Sequence, residues 1–213
     1  MSWSRHSKRD GYHHGNLRQA LIDAALALIA ERGPQGFSLA ELAREIGVSP
    51  AAPYRHFRDR AALLAEIAQR GFELFEAELT GAWDNARPEP TGALIRCGRA
   101  YLTFARRQPA LYAVMFESGL PMDSSPPLLR ASERSFGVLV TAAEALTATI
   151  ARPHRPPAMM VALHVWSMAH GTASLFLTHA NGPGRILPMA PEDLLEAGIL
   201  IYMQSLGLAA PAT

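Results

Sequence analysis

The side chains able to do covalent or acid–base chemistry are few: eight histidines and a single cysteine in 213 residues. No Gly-x-Ser-x-Gly, phosphate loop or dinucleotide fingerprint accompanies them, and Gly182-Pro-Gly184 reads as a turn. Neither His13-His14 nor the His164/His170 pair has carboxylates at metal-ligand spacing, so the chain is not expected to be an enzyme, to hold a metal or to need a cofactor. Cys97 on its own excludes an internal disulfide and a multi-thiolate site; a packed thiol or a redox switch are the roles left to it. Non-covalent chemistry has better tools. Arg55 sits in the run Pro50, Ala51, Ala52, Pro53, Tyr54, Arg55, His56. Its guanidinium fork matches O6 and N7 of guanine, with a phosphate contact as the alternative, and Ala51 or Ala52 can touch a thymine methyl. A second group combines Tyr101, Phe104, Tyr112, Met115, Phe116, Met159, Met160, Trp166 and Met168 with His164 and His170. Such a set lines a mostly apolar small-ligand cavity or simply fills a core.

The elements that would position Arg55 are spelled by residues 38–57, SLAELAREIGVSPAAPYRHF. Ser38 with Glu41 three positions on makes a capping box. Leu39, Leu42, Ala43 and Ile46 then share one helical face, away from Glu41, Arg44 and Glu45. Gly47 suits a left-handed C-cap, and Val48-Ser49 leaves so short a turn that the next helix must depart steeply. Ser49 can cap that helix, with Pro50 at its first position. This is a helix-turn-helix, whose second helix enters the major groove and brings residues 50–56 to the base edges. Ser38 and Ser49, at two helix amino termini, can offer hydroxyls and amides to phosphates or act as caps alone. Pro53 is expected to remove an early hydrogen bond and to bias Ala52 away from helical geometry.

Around this motif the chain reads as all-α, with about nine helices. Leu17, Leu21, Ala24 and Leu28 step at helical spacing up to Gly33-Pro34, and a long fourth helix starting near Asp59 carries Leu63, Leu64, Ile67, Phe72, Leu74 and Phe75. Punctuation at 87–92, 118–127, 151–157 and 181–191 leaves helices over about 91–107, 109–117, 127–150, 157–180 and 191–207. The last two are apolar on nearly every face, through Val161, Leu163, Val165, Trp166, Leu175 and Phe176 in one and Leu194, Leu195, Ile199, Leu200 and Met203 in the other. Helices of that kind are buried on two sides, by a second copy of the chain or within one subunit.

Composition agrees with a compact protein, 49 % hydrophobic and 18 % charged. No apolar run reaches the ~20 residues of a membrane span, and the opening MSWSRHSKRD lacks the apolar centre of a signal peptide, so a cytoplasmic protein with no membrane partner is expected. Nine Lys and Arg against six acids in residues 1–60 give that part a net charge of +3 within a total of +1. The positive charge falls where DNA would lie. Arg5, His6, Lys8 and Arg9 suit an arm that orders against phosphates, or a plain disordered tail.

The strings S-L-A-E-L-A-R-E-I-G-V-S and P-Y-R-H-F-R-D-R-A-A-L-L resemble the amino-terminal domain of the TetR (tetracycline-repressor-like) transcriptional regulators over roughly residues 12–64. V-W-S-M-A-H-G at 165–171 is similar to the Trp-His-Gly signature of one carboxy-terminal effector domain in that family. The resemblance implies a homodimer whose recognition helices bind a palindromic double-stranded DNA operator. It also implies that residues 1–60 form the DNA-binding domain and that 61–213 bind a small-molecule effector and dimerise, with repression as the family default. Tyr54 and His56 occupy positions that in the family contact phosphates, Phe57 that of a buried aromatic, and Arg60 that of a backbone-contacting lysine. Ala52 and Pro53 depart from the family's threonine and branched aliphatic, which leaves Arg55 as the favoured base reader. Tyr101, Phe104, Tyr112, Met115, Phe116, His164, Trp166 and His170 are the candidate effector pocket, Trp166 and His170 being the pair within the signature. A metal-sensing regulator of the same fold, and a helical adaptor using the motif for protein contact, are the other readings.

Overall fold

Caps and prolines decide where helices begin in the computed structural model, which describes residues 17–151, 153–176 and 189–208. Eight α-helices follow one another: α1 (Leu17–Arg32), α2 (Leu39–Glu45), α3 (Arg60–Trp83), α4 (Pro90–Arg107), α5 (Pro109–Phe116), α6 (Pro126–Ala148), α7 (Ala158–Phe176) and α8 (Pro191–Ser205). Short 3₁₀ segments occur at Pro53–Arg55, Asp84–Ala86 and Met122–Ser124, and no strand is present among the described residues. Proline opens α4, α5, α6 and α8, where its fixed φ fits and its missing N–H costs nothing. Asp59, Glu89 and Ser125 accept hydrogen bonds from the first free amides of α3, α4 and α6. The Ala62 amide, helped by Arg58, holds the Asp59 carboxyl below its ordinary range.

α3 is the axis of the molecule. It packs most extensively on α6, then on α4 and α5, while α7 packs on α6, α8 and α4. Its first turns also close the amino-terminal unit, since Leu63, Leu64 and Ile67 meet Leu21, Ile22, Ala25 and Leu42 in a buried apolar cluster that continues without a break to Leu195, Ile199 and Met203 of α8. Cys97 is fully buried there. Its thiol lies 3.7 Å from the Leu79 carbonyl and burial pushes its pKa up to about 12, so it is an unreactive core group.

Several expectations change at the helix-turn-helix. Ser38 caps α2 through the Glu41 amide at 3.2 Å, but the Glu41 carboxylate pairs with Arg32 at 2.6 Å instead of returning to the Ser38 amide. Half of the capping box forms. Gly47 takes φ +72°, and the Val48 N–H bonds the Ala43 carbonyl at 2.9 Å, the left-handed stop expected there. The α-helix expected over 49–57 is replaced by overlapping tight turns and the single 3₁₀ turn Pro53–Arg55. An α-helix starting at Ser49 needs an N–H on residue 53 to reach the Ser49 carbonyl, and Pro53 has none. The Ala52 N–H takes that carbonyl at 2.9 Å, an i→i−3 bond. Ser49 thus serves through its carbonyl, and Ala52 is helical (φ −61°, ψ −42°) rather than extended. The expectations for residues 1–11, for His13-His14 and for 177–188 lie outside the described residues.

Candidate nucleic-acid interface and effector cavity

Pro53 and Phe57 point the turn's apolar side into the core, both buried, and the intervening Tyr54, Arg55 and His56 are left facing solvent. The Arg18 guanidinium lies over the Phe57 ring at 4.9 Å and joins Glu66, which also pairs with Arg70 at 2.7 Å. α1, the turn and α3 are thereby clamped together beneath the exposed triplet. Ser38, Ser49, Pro50 and Ala51 are exposed as well, and Ala52 is half-buried; nearby in sequence, Arg44 and Arg58 are also exposed. Sequence reading missed those two arginines, because neither falls within the run 50–56 that the motif brings to the base edges.

Arg60 has a different setting. Its guanidinium turns inward to bond the Pro34 carbonyl and, at 3.1 Å, the Gln35 amide oxygen, and it lies over the Phe37 ring at 5.1 Å. Burial lowers its pKa, and Nε has no hydrogen-bond partner. The side chain therefore braces the 34–37 loop. Gln35 in turn donates to the Ser118 carbonyl at 2.6 Å, a bond that ties this loop to the segment just after α5.

The end of α5 that leads into this segment lines a cavity of about 470 Å³ between α3, α5, α6 and α7. Of the candidate pocket residues, Met115, Phe116 and Trp166 line it, together with Phe72, Phe75, Met122, Phe136, Leu139 and Leu163. Tyr101, Phe104 and Tyr112 are fully buried behind this wall, Phe104 against Phe75 at 4.9 Å. His164 does not reach the cavity. Two residues from Trp166 on the same helix, it points nearly the opposite way, bonds the Met160 carbonyl at 3.2 Å and stacks on Tyr202 at 4.9 Å. Sequence reading missed the α6 wall, although Ser132, Ser135, Phe136 and Leu139 recur at i, i+3, i+4 and i+7.

His170 knots the second layer together. The hydroxyls of Tyr101 and Tyr112 each lie 2.9 Å from its Nδ1, Trp166 stacks on its ring at 5.2 Å, and Phe116 meets it edge-on at 5.0 Å. Desolvation lowers the His170 pKa, opposed by Glu117, while burial raises Tyr101 and pushes Tyr112 up to about 12. A neutral imidazole whose Nδ1 accepts from one protonated tyrosine, the two tyrosine hydroxyls being bonded to each other as well, is the arrangement these shifts favour. α4, α5 and α7 are thus joined by polar contacts directly behind Phe116 and Trp166. Among the described residues, no three His, Cys, Asp or Glu side chains are grouped to hold a metal ion, and no helix is long and apolar enough to cross a membrane.

Two family models match separate stretches of the chain. Residues 21–67 match the family model for bacterial regulatory proteins of the tetR family, and residues 94–201 match that of the tetracyclin repressor-like C-terminal domain. The HTH-type transcriptional regulator BetI of Brucella suis biovar 1 is 29 % identical over 168 residues, covering 78 % of this chain and 80 % of that protein. The uncharacterized HTH-type transcriptional regulator YobS of Bacillus subtilis is 28 % identical over 98 residues, 46 % of this chain, and the chain spans only 50 % of its length. A solved protein of unknown function from Rhodococcus sp. RHA1 superimposes with a TM-score of 0.76 at 30 % identity over 94 % of this chain and 100 % of that one. PfmR of Thermus thermophilus, a TetR-family transcriptional regulator, shares the fold with a TM-score of 0.64 at 20 % identity, over 87 % and 96 % of the two chains. With one family model on the helix-turn-helix end and another on about half the chain beyond it, this protein belongs to the TetR family of transcriptional regulators.

Proposed function

We propose that this DNA-binding regulator is a homodimeric repressor, released from a palindromic operator by a small, mostly apolar effector. The observation that carries the reading is the exposed Tyr54–Arg55–His56 triplet, clamped to α1 and α3 and connected through Gln35 to Ser118, two residues beyond the Phe116 that lines an open aromatic cavity. Arg55 reads a base edge, while Tyr54, His56, Ser38 and Ser49 set register on phosphates. Residues 1–60 act as the DNA-binding unit and 61–213 as the effector and dimerisation unit.

One triplet contacts too few base pairs for useful affinity, so two subunits present half-sites about one turn (~34 Å) or a multiple apart. α7 and α8 supply the interface. Met159, Met160, Leu175, Leu194 and Ile201 are exposed at 38–67 % on these helices, an apolar area that a second copy covers. An effector packing against Met115 and Phe116 moves the end of α5, and with it the Ser118 carbonyl that holds Gln35. The 34–37 loop and Arg60 carry that movement to the base of the helix-turn-helix, so the two binding events are coupled.

Selection of bound sequences from a random duplex pool, followed by salt-dependent titration of the winner, tests the reading. A palindrome with a steep salt slope is expected. No enrichment by a folded, dimeric protein would sink it, and an effector that binds tightly without changing operator affinity would remove the coupling.

A further inference from the structure

The polar side chains on the cavity wall leave no donor free: the Trp166 indole N–H is directed to the Tyr101 hydroxyl, and the others are oxygens. The Ser132 hydroxyl donates its hydrogen to the Leu129 carbonyl at 2.8 Å, and the Ser135 hydroxyl donates to the Ser132 carbonyl at 2.8 Å. Both protons are committed to the backbone of α6, so what the two oxygens present to the cavity is lone pairs. Flanking their face of α6 stands Glu133, exposed at the rim, with no ion-pair partner among the described residues. The neighbouring Arg134 is engaged by Glu76 at 2.9 Å. Among the described residues, no lysine, arginine or histidine lines the cavity, and the rest of its wall is thioether, leucine and five aromatic rings.

This wall discriminates by charge. An anion placed there would find no free donor and a carboxylate at the entrance, so it would lose its hydration with nothing in return. A neutral apolar molecule gains burial alone. A cation gains burial among the rings of Phe72, Phe75, Phe116, Phe136 and Trp166, whose π electrons attract positive charge, and attraction to Glu133. The crossed orientation of Phe136 and Trp166, with centroids 6.3 Å apart and planes at 81°, gives a bound group two differently facing rings. We infer that the effector is a hydrophobic organic cation, an amine or quaternary ammonium on an apolar body, held between α3, α5, α6 and α7. The inference rests on the reading of this cavity as the effector site.

Isothermal titration calorimetry of the full chain with three probes on one skeleton tests it: phenylbutyl trimethylammonium, phenylbutanol and phenylbutyrate. The ammonium is expected to bind about tenfold or more tighter than the other two. Glu133→Gln should erode that preference severalfold and leave the alcohol unchanged, and added salt should weaken the Glu133-dependent part. Ser132→Phe, which fills the cavity, should abolish binding of all probes. If the alcohol or the carboxylate binds as tightly as the ammonium, and Ser132→Phe still abolishes it, the charge preference is overturned and the effector site stands. If no probe binds, or if binding survives a folded Ser132→Phe, the cavity reading falls and the inference with it. Glu133→Gln changes an exposed position and decides the charge question even where the filled variant does not fold.

Discussion

Arg55 and Arg60 flank the same loop-to-helix junction, and their surroundings give them opposite work. Arg55 is exposed between two buried anchors, Pro53 and Phe57, so its fork is free for a guanine edge. Arg55→Ala is expected to cost about 1–3 kcal/mol at one base pair of the operator, while Tyr54→Phe weakens all duplexes alike; competition binding against single-base operator variants reads the difference. Uniform loss for Arg55→Ala would make it a phosphate contact. Arg60 is expected to behave as a brace. With its guanidinium on Pro34, Gln35 and Phe37, Arg60→Ala should lower the thermal midpoint by about 2–4 °C and leave the salt slope of DNA binding unchanged. A slope reduced by one phosphate would return Arg60 to the DNA face. Sequence placed Arg55 by its motif position, but nothing along the chain shows that Pro34 and Phe37 close over Arg60, because that contact joins residues distant in sequence.

At the scale of elements, local signals were read most reliably where backbone chemistry alone decides. The Ser38 cap, the Gly47 stop and the prolines opening α4, α5, α6 and α8 each follow from one or two residues and their own amides. Pro53 reads as a disturbance from its type alone, but its effect is set by packing: the chain keeps Ala52 helical and tightens to 3₁₀ bonding, since burial of Pro53 and Phe57 holds the turn closed. The connection between elements is where function is expected to sit. α5 ends at the cavity wall and continues into Ser118, whose carbonyl meets Gln35 at 2.6 Å. Gln35 is exposed, so Gln35→Ala should leave the fold and the effector-free operator affinity within about twofold. It should also cut the effector-induced change in that affinity by about fivefold or more, measured by titrating operator with and without effector. An undiminished response would mean that the signal travels along α3 alone.

For the whole molecule, the unmatched feature of a single subunit is the apolar surface on α7 and α8. Ile201 is 67 % exposed, so Ile201→Asp should not disturb the subunit itself. In a two-fold interface it would bury a carboxylate beside its symmetry mate, at a cost of about 2–5 kcal/mol per charge, and sedimentation should show monomers that no longer hold the operator. A variant that stays dimeric would move the interface elsewhere. What the sequence by itself determined is the class and the order of parts: an all-α chain, a helix-turn-helix near its amino end, and a run of apolar helices after it. Periodicity, caps and the family strings are local and survive without a partner segment. Only the tertiary structure decided which of the candidate pocket residues face the cavity. Met115, Phe116 and Trp166 do, whereas Tyr101, Phe104 and Tyr112 lie behind them and His164 points away, although all carry similar sequence signals. Helical spacing tells which residues share a face, but a helix packed on several neighbours buries more than one face, and which of them borders empty space depends on the helices that close around it.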